Sequence, residues 1–189
     1  MEDIRDEEIL AKVARGDQGA QRDFFLRHRQ GAYRAAYRLL GNDADALDAV
    51  SEAFVRAFRG AKTFKGRASA RTWFYRIVVN TSLDLQRQRR RAVSIEAADE
   101  ESLGLSDVLA ADEETPLETA GRGELSTKIR EAIARLDEKH RTVFVLAAVQ
   151  EMSYKEIAET LDISIGTVMS RLFYARKYLQ RSLANYLRK

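Results

Sequence analysis

The stretch SYKEIAETLDISIGTVMSRLFYARKYL, residues 153–179, decides the fold. Apolar residues at helical spacing predict one short helix over 154–160, with Ile157, Ala158 and Leu161 inward, and a second starting at Ile165, with Val168, Leu172, Ala175 and Leu179 inward. Ser164 is placed to cap the second helix, its hydroxyl accepting from free N–H groups of the first turn. Gly166, Thr167, Met169, Ser170, Arg171 and Tyr174 then face outward. Such a pair of helices is a helix-turn-helix, whose second helix fits a DNA major groove and reads base edges there. An ordinary helical hairpin shares the same apolar pattern, so the reading rests on the outward residues as well.

Composition extends the helical reading to the rest of the chain. Its 189 residues include one proline, Pro116, and ten glycines, with Ala, Leu, Arg and Glu abundant. An all-α fold of two small helical domains follows. No cysteine is present and there are two histidines, His28 and His140, so disulfides, thiolate metal sites and cysteine nucleophiles are excluded. No catalytic residue, metal ligand set or cofactor motif stands out, and no apolar run reaches the roughly 20 residues that span a bilayer. The expectation is a cytoplasmic protein without membrane insertion.

The net charge of +3 hides a strong asymmetry. Residues 92–126 carry ten acidic side chains against the single basic Arg122, leaving the remainder of the chain strongly basic. With Pro116, three glycines and no aromatic residue, this segment reads as a flexible acidic linker between an N-terminal domain, 1–91, and a C-terminal domain, 127–189. In the N-terminal part, periodicity predicts helices over 6–15, 20–40, from 42 or 43, and over 71–90, with Gly41 and Gly60 as stops.

Two further tracts carry potential chemistry. Residues 64–91, FKGRASARTWFYRIVVNTSLDLQRQRRR, mix aromatic and basic side chains, as suits an unpaired strand whose bases stack on rings while Arg and Lys follow phosphates. Phe74, Ile77, Val78, Thr81 and Leu85 share one helical face and belong to the core, whereas Trp73, Tyr75, Arg76 and Asn80 lie at other angles. Phe64 sits in a glycine-flanked loop able to hold a base drawn from the stack. In residues 41–60, GNDADALDAVSEAFVRAFRG, Asn42 or Asp43 caps a helix, and Asp45, Asp48 and Glu52 form a carboxylate stripe for a partner or for solvent. A calcium loop lacks its glycine.

In this order, residues 43–58, 64–80 and 136–179 resemble three motifs of the extracytoplasmic-function group of bacterial sigma-70 factors, and the likeness spans the chain outside the acidic segment. It implies a region 2 bundle and a region 4 helix-turn-helix, no enzymatic activity and no cofactor, with core RNA polymerase, its β′ clamp helices and β subunit, and promoter DNA as partners. An anti-sigma factor is implied as regulator. Carried over by position, the resemblance assigns Asp45, Asp48, Glu52, Phe54 and Arg56 to polymerase binding. It assigns Phe64, Lys65, Ser69, Thr72, Trp73, Arg76 and Asn80 to capture of a −10 base. Ser164, Gly166, Thr167, Met169, Ser170, Arg171, Tyr174 and Arg176 fall to −35 readout. Met169 stands where many relatives have Arg, and Asp162 occupies a turn position often held by Gly. Two rival readings make different demands: a conventional regulator binds duplex half-sites alone, and a hydrolase built on the carboxylates needs a metal.

Overall fold

The computed structural model describes residues 5–96 and 123–184, and among them every regular element is a helix. The order is α1 (Asp6–Val13), α2 (Gln18–Leu40), α3 (Asp43–Gly60), a single 3-10 turn (Ala61–Thr63), α4 (Ala70–Glu96), α5 (Gly123–Ala134), α6 (Glu138–Ala148), α7 (Tyr154–Leu161) and α8 (Ile165–Ser182). Most of the acidic segment, residues 97–122, lies outside the described residues.

Local chemistry sets the helix ends. Asp17 caps α2 by accepting from the Ala20 N–H at 3.0 Å, and Asn42 caps α3 by accepting from the Asp45 N–H at 2.9 Å. Gly41 ends α2 in the left-handed region at φ 86°. Helix α3 ends at Gly60 as expected, though without a left-handed cap. Gly60 stays right-handed at φ −83°, because the chain tightens directly into the 3-10 turn. Helix α4, by contrast, passes the expected end near Arg90 and continues to Glu96.

The first four helices enclose an aromatic and alanine core. Phe24 of α2, Phe54 of α3 and Phe74 of α4 meet with ring centroids 4.7 to 6.4 Å apart. Along α3, Ala46, Ala49, Ala53 and Ala57 are buried at three- and four-residue spacing, and Ala32, Ala35 and Ala36 are buried on α2, so the two backbones approach closely. Helix α1 adds Ile9, Leu10 and Val13, and Asp6 fastens its start to α2: Arg27 donates to Asp6 at 2.9 Å, and His28 Nε2 lies 2.9 Å from the second carboxylate oxygen. The second core gathers Val143 and Leu146 of α6, Ile157 of α7, and Val168, Leu172 and Ala175 of α8. The two cores meet where α4 packs on α7 and α2 packs on α5 and α6.

Burial works to raise the Asp6 pKa, but the bonds and charges of His28 and Arg27 outweigh it and hold the carboxyl below its ordinary range. A lowered folded value makes the tether fully effective above the ordinary carboxylate pKa, and the stability it supplies is lost as the pH falls through that lowered value. Wild-type protein should therefore lose thermal stability more steeply than Asp6→Asn between about pH 5 and pH 3. Parallel melting curves across that interval would show that the tether contributes nothing.

Candidate nucleic-acid interface

Helix α7 begins with a reciprocal cap: Ser153 accepts from the Glu156 N–H, and Glu156 accepts from the Ser153 N–H at 2.8 Å. Burial opposes the Glu156 charge, yet the bonds from Ser153, with the nearby Arg71 charge, keep its carboxyl below the usual range. The chain then turns sharply at Asp162, whose φ of 53° and ψ of 49° are left-handed, and whose N–H returns to the Ala158 carbonyl. Ser164 follows as the cap of α8, accepting from the Thr167 N–H at 3.1 Å, with the two hydroxyl oxygens 2.8 Å apart.

Burying Val168, Leu172, Ala175 and Leu179 leaves the opposite face of α8 open. Met169 is 54% exposed and Tyr174 59%, with Gly166, Ser170 and Arg176 also exposed, while Thr167 and Arg171 are half-buried. Ser164 is therefore committed to the helix cap, and Ser170 donates to the Thr167 carbonyl at 3.0 Å. The most exposed large apolar side chain on this helix is Phe173, at 60%, with the Lys177 ammonium 5.9 Å from its ring centroid. Sequence reasoning did not single out either residue, although the three- and four-residue steps from Ser170 place both on the outward face.

The second candidate surface surrounds the start of α4. Gly66, at φ 67°, turns the loop of residues 64–69, and Phe64 folds back to half-bury its ring against Trp73, centroids 5.4 Å apart. Ser69 accepts from the Thr72 N–H at 3.0 Å, while Glu7 of α1 accepts from the Ala70 N–H at 3.0 Å, so the helix has a local and a distant cap. Lys65, Ser69, Arg76 and Asn80 are exposed and Trp73 is half-buried. Thr72 is buried, its hydroxyl accepting from Ser69 at 2.8 Å. Tyr75, placed by helical angle away from the core, is buried as well, because α4 has neighbours on more than one side.

On α3 the carboxylate stripe divides. Asp48 and Glu52 are exposed, and Arg56 donates to Glu52 at 2.7 Å. Asp45 is 2% exposed, receives Asn42 at 2.9 Å and pairs with Arg89; Phe54 lies in the aromatic core. Direct contact by those two side chains is therefore closed off, and they shape the surface from beneath. Leu47, whose place in the helical apolar pattern reads as core, is instead exposed beside Asp48 and Glu52, as is Val55. Among the described residues no cluster of metal-ligating side chains occurs.

The sigma-70 region 2 family matches residues 24–92 and the sigma-70 region 4 family matches residues 126–179. The chain is 35% identical over 176 residues to the ECF RNA polymerase sigma factor SigW of Bacillus subtilis (strain 168), covering 92% of this chain and 94% of the relative. This chain belongs to the ECF sigma factor family. It is also 32% identical to the ECF RNA polymerase sigma-E factor of Escherichia coli (strain K12), covering 100% of this chain and 99% of the relative. Among solved structures, CnrH in complex with the cytosolic domain of CnrY shares 27% identity at a TM-score of 0.70, covering 95% of this chain and 97% of that one. The sigma factor RpoE in complex with the anti-sigma factor NepR from Bartonella quintana shares 23% identity at a TM-score of 0.67, covering 86% and 97%. The region 2 match spans most of α2 through most of α4, and the region 4 match spans most of α5 through most of α8.

The left-handed turn at Asp162 generates a stability prediction. Gly at this position relieves the steric cost and should stabilise region 4 by up to about 1 kcal/mol, whereas Val should cost about 1–2 kcal/mol. Urea denaturation of the two variants checks the sign; equal stabilities would place the turn elsewhere in φ and ψ.

Proposed function

We propose that this protein is an alternative sigma factor, a transcription regulator that binds core RNA polymerase and directs it to promoters by −35 duplex readout and −10 base capture. The single observation that carries the reading is the pairing of two unlike surfaces in one chain. One is an exposed recognition helix, α8, behind a left-handed turn; the other is an aromatic and basic loop at the start of α4. A duplex-binding regulator has use for the first but not for the second.

In this reading Met169, Ser170, Arg171, Tyr174 and Arg176 meet the −35 major groove, with Phe173 and Lys177 added to the outward face. Arg reads guanine bidentately, and Met or Phe supplies apolar contact to a thymine methyl. Gly166 lets the start of α8 approach a phosphate, and Ser164 and Thr167 fix that helix end through their own bonds. Phe64, Trp73, Arg76 and Asn80 hold the displaced −10 base, with Lys65 on the strand and Ser69 and Thr72 ordering the loop as caps. Asp48, Glu52 and Arg56 form the polymerase-facing stripe, and Asp45 and Phe54 support it. The protein contributes positioning and strand capture, and nucleotide addition belongs to the polymerase. The family resemblance carries regulation by an anti-sigma factor and a cytoplasmic location; among the described residues no helix is long and apolar enough to cross a membrane.

Assembly and opening should separate by mutation. Asp48→Arg is expected to reduce co-purification with core polymerase at unchanged thermal stability. Trp73→Ala and Asn80→Ala should assemble normally yet lose most permanganate reactivity of −10 thymines, since base stacking contributes about 1–3 kcal/mol. Full reactivity in both variants would remove these residues from strand capture.

A further inference from the structure

The loop proposed to hold the −10 base, residues 64–69, has both of its ends fastened to α1. At its start, the 3-10 turn packs on α1 with Ala61 buried, and the Phe64 N–H closes the turn by donating to the Ala61 carbonyl at 3.2 Å. At its end stands Ala70, fully buried, whose N–H opens α4 and has no partner within that helix. Glu7 of α1 supplies the acceptor at 3.0 Å, from 63 positions away in sequence. Ser69 holds the adjoining residues, accepting at Oγ from the Thr72 N–H and at its carbonyl from the Trp73 N–H at 2.9 Å.

The first turn of α1 is itself held in place. Asp6 receives Arg27 and faces His28 of α2, while Ile9, Leu10 and Val13 anchor the helix in the core. Two adjacent carboxylates therefore serve different helices, Asp6 on α2 and Glu7 on α4, and one rigid turn relates them. Glu7 is exposed, so it adds no apolar burial; its contribution is a single charge-assisted bond to a buried backbone group. The next acid, Glu8, bonds only locally, to Arg5.

We infer that Glu7 is a positioning residue for strand capture. By accepting from the Ala70 N–H it fixes the far end of the 64–69 loop, and with it the separation of the Phe64 and Trp73 rings between which the loop closes. The inference rests on the proposed −10 role of this loop and deepens it. Gly66, at φ 67°, turns the loop between its two anchors, so the space open to a base is defined at those anchors. A loop fastened at both ends is ordered before the base arrives. Release of the Ala70 N–H lets the first turn of α4 fray, and the entropy of ordering the loop then opposes binding. Glu7 touches no nucleotide; it acts through Ala70 and Ser69.

The test uses holoenzyme assembled from core RNA polymerase and the full chain, as wild type, Glu7→Ala or Glu7→Gln. Each is titrated with a fluorescent single strand carrying the non-template −10 sequence of a promoter that the wild-type holoenzyme transcribes, and with copies of that strand made abasic at one position at a time. Wild type should bind the intact strand more tightly than the copy lacking the captured base. Glu7→Ala should bind the intact strand about fivefold more weakly, with its affinity for that abasic copy unchanged. Glu7→Gln, which keeps an oxygen acceptor, should recover most of the difference. Equal discrimination by Glu7→Ala and wild type overturns the inference and leaves base capture standing. An equal loss on intact and abasic strands also overturns it, because a general weakening of the fold acts on both, and so does a Glu7→Gln variant as defective as Glu7→Ala. If no abasic position weakens binding to wild type, base capture itself falls and the role of Glu7 falls with it.

Discussion

The meeting of Phe74 with Phe24 and Phe54 is the constraint on which the arrangement of region 2 depends. Three rings from three helices fix α4 relative to α2 and α3, and the alanines of α2 and α3 allow the backbones to come close enough for those rings to touch. With Phe74 committed inward, helical geometry sends Trp73, Arg76 and Asn80 to other sides of α4. The exposed carboxylates of α3, and the loop packed on Trp73, take their positions from the same core. Replacing the rings by aliphatic side chains of similar volume would keep the burial and lose the edge and tilted contacts that orient them.

Much of this organisation is legible in the sequence because short-range chemistry produces it. Ser153, Ser164, Asp17 and Asn42 each precede an apolar period and each caps a helix. The helix-turn-helix is readable for the same reason: its inward residues recur at helical spacing, and its turn needs only one left-handed position, which Asp162 adopts. Long-range partners are what periodicity cannot report. Tyr75 reads as an outward residue until α2 closes over it beside Gly31. Asp45 reads as part of an acidic stripe, but it is buried and pairs with the exposed Arg89, 44 positions further on. Glu7, an unremarked acid in the first turn of α1, turns out to cap α4 from 63 positions away.

The structure also relates the two modules more closely than a tethered pair requires. Region 4 meets region 2 through the Gln150 loop and α7, while the outward face of α8 remains exposed. The residues proposed to read duplex DNA are thus accessible, whereas the α4 surface shares one of its cations, Arg76, with α7.

The central claim, that these two surfaces select promoters only in company with a transcribing enzyme, is tested most directly by run-off transcription. Purified core polymerase, with or without the chain, would be presented with a library of bacterial promoter fragments. The account predicts a restricted set of transcripts, sharing paired elements at a fixed spacing, that appears only when chain and core enzyme are combined. Transcription of the same fragments at the same level with and without the chain would contradict it.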